Sequence, residues 1–71
     1  MNIQAYKNMS NPQTVEAFRM ELFREHGVME TLDMLALFDY AWKVGHEGGF
    51  EEVYYCFADL LDMREDATSQ I

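Results

Sequence analysis

The sequence predicts an all-α fold: a small three-helix domain with a short N-terminal arm. Three observations carry that reading. Asn11-Pro12 and Gly27 bracket a stretch free of glycine and proline, Gly45-His46-Glu47-Gly48-Gly49 is the strongest breaker in the chain, and apolar residues recur at helical spacing on both sides of it. The chain has 71 residues, which suits one domain, and a domain of that size has little core to spare. It holds one cysteine, Cys56, so no disulfide can form within the chain. Close packing or self-association then has to supply what a staple would.

Residues 1–10 are mixed in character, with isolated Ile3, Tyr6 and Met9. They are compatible with an arm, a short helix or an edge strand. They lack the basic-then-apolar layout of a secretory signal.

The first helix is expected over about 12–26. Ser10 or Asn11 can cap it, Pro12 suits its first turn, and Gly27 can end it in a left-handed conformation. Val15, Phe18, Leu22 and His26 fall on one stripe at about 100° per residue. Met20 and Phe23 lie off that stripe and point to a second contact. His26 reads as a capping or core-edge histidine at the helix C-terminus.

The second helix is expected over about 29–44. Glu30 and Asp33 near its start complement the helix dipole, and Asp39 and Lys43 stand in the favourable i,i+4 order. Its apolar residues nearly encircle it, from Leu32 to Val44. A helix apolar almost all round is normally buried, and two further short helices offer limited cover. A face containing Met34, Leu37, Phe38 and Trp42 is therefore a candidate homodimer interface, with Tyr40 and Trp42 as the residue types that anchor contacts.

The third helix is expected over about 50–65, on the stripe Phe50, Val53, Tyr54, Phe57, Leu60 and Leu61. The Val53–Phe57 run also has β propensity, but the spacing favours a helix. Residues 67–71 read as a frayed tail.

Net charge is −8, with 13 acids against 5 bases. Residues 1–27 are balanced, three acids against three bases. Residues 28–71 hold ten acids against Lys43 and Arg64. Such a surface repels nucleic acid and anionic lipid and attracts basic protein surfaces. On the third helix Glu52, Tyr55, Asp59, Asp62 and Asp66 share one face, flanked by Glu47 and Glu51. An ordinary solvated face mixes signs to relieve repulsion, whereas this one does not. These seven residues are the candidate partner-binding set. Carboxylates a turn apart can imitate a line of phosphates.

Catalysis and metal binding find little support. A carboxylate pair that works as acid and base needs a buried member with a shifted pKa, and these acids sit on polar faces. His46 and Glu47 lack two further ligands at recognisable spacing, so no metal or other cofactor is expected. Cys56 has no base beside it to make it a nucleophile. The glycine-rich turn lacks the preceding strand and following Lys-Ser/Thr of a phosphate loop. No apolar run approaches the ~20 residues that span a membrane. With its lone thiol the chain suits the cytoplasm.

In size, charge and helicity the chain resembles the small acidic helical proteins that phages and plasmids direct against host nucleic-acid-handling machinery. No motif carries that likeness, so it assigns no residue a role. The expected function is a non-enzymatic one. The chain would bind, and inhibit or modulate, a basic nucleic-acid-binding protein, as a nucleic-acid mimic or phage-type anti-defence inhibitor. The alternative is a homodimerising helical adaptor or structural subunit.

Overall fold

The structure is a computed structural model and describes residues 1–69, with side chains described through Arg64. Among the described residues there are three α-helices: α1 (Pro12–His26), α2 (Leu32–Gly45) and α3 (Gly49–Ser69). Short 3₁₀ turns lie at Ile3–Ala5 and His46–Gly48. No strand occurs among the described residues. The all-α expectation therefore holds.

Both ends of α1 and the start of α2 are set by local caps. At α1 the Asn11 side chain accepts the Gln13 N–H at 2.9 Å, and Pro12 occupies the first turn, where its missing N–H costs nothing. Gly27 closes it at φ 67°, which places its N–H on the Arg24 carbonyl and the Val28 N–H on that of Phe23. This is a Schellman closure, and a side chain at Gly27 would strain it.

The α2 start corrects the sequence expectation. The helix begins at Leu32 rather than Met29, because Thr31 accepts the Met34 N–H and acts as the cap. Glu30 thus precedes the helix and pairs with Arg19 at 3.0 Å. Asp39 and Lys43 do not close into an ion pair. At its other end α3 continues to Ser69, so residues 67–69 extend the helix; 70 and 71 lie outside the described residues.

The helices pack around an aromatic core. Phe18, Leu22 and Phe23 come from α1, Phe38 and Ala41 from α2, and Phe50, Val53, Phe57 and Leu61 from α3. Phe23 stacks on Phe57 at 5.5 Å, and Phe18 meets Phe50 at 4.8 Å and Phe38 at 6.2 Å. Such ring pairs add to the burial term that drives folding. The N-terminal segment joins this core. Tyr6 packs edge-on to Phe18 at 5.4 Å, lies 5.8 Å from Phe50, and donates its hydroxyl hydrogen bond to Glu21. The arm is thus a docked turn.

α2 and α3 form a tight hairpin. Gly45 is buried, and a Cβ there would lie 3.1 Å from the backbone C and O of Glu52 and from Cys56 Sγ. That absence of a side chain lets the two backbones meet at the base of the hairpin.

Candidate functional site

α3 buries one side and exposes the other. Phe50, Val53, Phe57 and Leu61 turn inward, so helical geometry sends Glu51, Glu52, Tyr55, Asp59 and Asp62 outward. All five are exposed. Glu47 joins them from the 3₁₀ turn that precedes α3 and is also exposed. The side chain of Asp66 lies outside the described residues.

Most acids with described side chains fall into two groups, and Glu16 on α1 and Asp39 on α2 stand outside both, without an ion pair to any described residue. Glu21 accepts from Tyr6, Glu25 pairs with the N-terminal amino group, Glu30 with Arg19 and Asp33 with Arg64. Glu47, Glu51, Glu52, Asp59 and Asp62 form no ion pair with any described residue. Glu51 and Glu52 stand in the first turn of α3, where the helix dipole favours negative charge. That benefit fades within a turn and does not reach Asp59 or Asp62. These two sit at i,i+3, a spacing at which like charges repel by roughly 0.2–0.5 kcal/mol. Their presence is a local cost, and fold stability does not account for it.

A groove runs beside this face. It is a depression of about 180 Å³ between α2 and α3, lined by Tyr40, Val44, Cys56, Asp59 and Leu60. On its far side Tyr40 also borders a second depression of about 270 Å³ with Ala36, Asp39 and Lys43. Tyr40 and Val44 are exposed at 58% and 57%. Asp59 belongs both to the groove and to the acidic face. Burial pushes the Cys56 thiol up from its ordinary value, and the charges of Glu52 and Asp59 act in the same direction. Cys56 is therefore held protonated and is a poor nucleophile.

The four residues expected to form a dimer face do not sit together on the surface. Phe38 is buried in the core, and Met34, Leu37 and Trp42 are half-buried against it. Phe38 and Trp42 spend their rings on Phe57 and Phe50 respectively. The exposed large apolar residues of α2 are Leu32, Tyr40 and Val44. The sequence pointed to Tyr40 by residue type alone and not to Val44, because the groove they line is shared between two helices.

The remaining candidates resolve as structure. His26 packs its ring 5.8 Å from Tyr54 and 5.7 Å from Phe57, with Nε2 buried and unpartnered. His46 stacks on Trp42 with Nδ1 3.0 Å from the Trp42 carbonyl oxygen. Among the described residues no three His, Cys, Asp or Glu side chains cluster in a way that could hold a metal ion. Nor is any helix among them long and apolar enough to cross a membrane.

A family model described as a family of unknown function (DUF8546) matches residues 2–64. No curated protein and no solved structure matches the chain.

Proposed function

We propose that this chain, which belongs to the DUF8546 family, is a non-enzymatic binding protein whose acidic α3 face docks on a basic protein surface. The partner is a nucleic-acid-binding protein of the cytoplasm, which the chain inhibits or modulates by occupying its basic groove. The observation that carries this reading is the unpaired set Glu51, Glu52, Asp59 and Asp62 around exposed Tyr55. Helix stability has no use for Asp59 and Asp62 together, whereas a basic partner does.

The face is also long enough to matter. Glu51 to Asp62 covers about 16 Å of helix at 1.5 Å per residue. Its likeness to nucleic acid is one of sign and line: the acids sit as Glu51 with Glu52 and Asp59 with Asp62, the two groups about 10 Å apart along the helix, against about 3.4 Å per phosphate along a strand. Catalysis is not part of the proposal. Among the described residues no acid is buried, and Glu25 is shifted down, mainly by its hydrogen bond from the N-terminal amino group, not up as a general acid requires.

The adaptor reading, in which the chain dimerises through Met34, Leu37, Phe38 and Trp42, is weakened by the inward packing of Phe38. The test is capture from the source cells with the wild-type chain as bait, beside a bait carrying Glu52→Lys, Asp59→Lys and Asp62→Lys. The proposal expects a basic protein on the first bait and its loss from the second, with helical content unchanged. Equal recovery on both baits would overturn it.

A further inference from the structure

We infer that the α2–α3 groove is the seat of a basic amphipathic helix of the partner. This inference rests on the acidic-face reading and adds the form of the partner element. Three features of the groove select that occupant. Its floor and walls, Tyr40, Val44, Cys56 and Leu60, are apolar or aromatic, and two of them are more than half exposed. A purely ionic contact has no need of such walls, but the apolar stripe of a helix fills them as helices do in grooves.

The groove is bounded by negative charge. Asp59 lines it directly, Asp39 stands across Tyr40 in the adjoining depression, and Glu52 lies one turn before Cys56 on the same helix. Lys43 is the one described base among the lining residues of the two depressions. A partner helix with lysine or arginine beside its apolar stripe meets carboxylates on the rim. A second copy of this chain brings its own acidic rim, at net charge −8, and is repelled.

The repeat fits as well. Glu52 and Asp59 stand seven residues, or about two turns, apart on α3, so bases seven residues apart on a partner helix keep register with both.

The test uses two synthetic leucine–lysine peptides of one composition, as long as α2. One is ordered to form an amphipathic helix and the other scrambled so that it cannot. Binding to the full chain is read by fluorescence anisotropy at one ionic strength. The amphipathic peptide should bind at least about tenfold more tightly than the scrambled one. Tyr40→Ala should weaken it by about as much, since aromatic anchors dominate such contacts. Val44→Asp is the sharper variant. It adds a negative charge, so a purely electrostatic surface would bind the peptide more tightly, whereas a filled groove binds it less. Both positions are exposed, so the fold survives, and circular dichroism checks that.

Equal binding of the two peptides, or tighter binding by the Val44→Asp variant, overturns the groove and leaves the acidic face standing. Failure of both peptides to bind at low salt overturns the two together. If the free chain is a dimer that Val44→Asp disperses, the occupant is a second copy and the inference is wrong.

Discussion

The hairpin that frames the groove depends on Gly45, and Gly45→Ala measures how closely α2 and α3 meet. Two effects oppose each other. Alanine is favoured over glycine by up to about 1 kcal/mol inside a helix, but Gly45 is the last residue of α2, with φ −109° and ψ −6°, so little of that gain is available. Against it, the new methyl would lie 3.1 Å from three atoms of α3. Carbon contacts are comfortable at about 3.5–4.0 Å, so each must give by roughly half an ångström. Cys56 Sγ can rotate away, but the Glu52 C and O are backbone and move only if α3 moves. The overpacking term wins, at about 1–2 kcal/mol destabilising. For a domain of this size that lowers the melting temperature by roughly 4–16 °C. Thermal denaturation by circular dichroism reads it directly. Cys56→Ala removes one of the three contacts, so the double variant Gly45→Ala/Cys56→Ala should show a favourable coupling of about 0.5 kcal/mol or more. At Gly27, where an added Cβ meets nothing within 4 Å, the cost is conformational alone and shows no coupling to Cys56. A Gly45→Ala variant as stable as wild type would refute the close approach of the two helices.

Other consequences are simpler to check. The Tyr6 hydroxyl is pushed up to about 12, chiefly by its hydrogen bond to Glu21, then by burial and the Glu21 charge. A raised pKa means the folded state favours the protonated form. The contribution of Tyr6 is therefore fully present below about pH 10 and fades as pH rises towards 12. An absorbance titration should show Tyr6 as a late-titrating tyrosine that Tyr6→Phe removes, and a Tyr6 that ionises at its ordinary value would contradict the docked arm. His26 leaves Nε2 buried without a partner between Tyr54 and Phe57. His26→Phe should raise stability by about 1 kcal/mol, measured by urea denaturation, because it removes a polar atom that nothing satisfies. Lowered stability would mean that this nitrogen is satisfied in solution.

What the sequence made legible is what depends on local chemistry. Asn11, Pro12 and Gly27 mark α1 through capping and a left-handed closure, which need no knowledge of the rest of the molecule. The α3 stripe follows from period alone, and with it the outward direction of Glu52, Asp59 and Asp62. The start of α2 was readable in Thr31 followed by Asp33, but the apolar Val28 and Met29 pull the expected boundary forward; Val28 serves the α1 closure instead. Residues 1–10 stayed ambiguous because Tyr6 is placed by Phe18 and Phe50, both distant in the chain. The expected dimer face failed to gather for the same reason. Phe38 and Trp42 look surplus on an isolated helix and are consumed by rings from the other two helices. The groove, built from Tyr40 and Val44 on one helix and Cys56 and Leu60 on another, has no signature in either segment alone.

The central claim is that the acidic α3 face binds a basic protein partner, and its dependence on salt tests that most directly. The measurement is the dissociation constant of the captured partner over a range of ionic strength, where the screening length shortens from about 30 Å at 0.01 M to about 8 Å at physiological salt. Affinity is predicted to fall steeply and continuously over that range. A dissociation constant that stays flat from low to high salt would contradict the account.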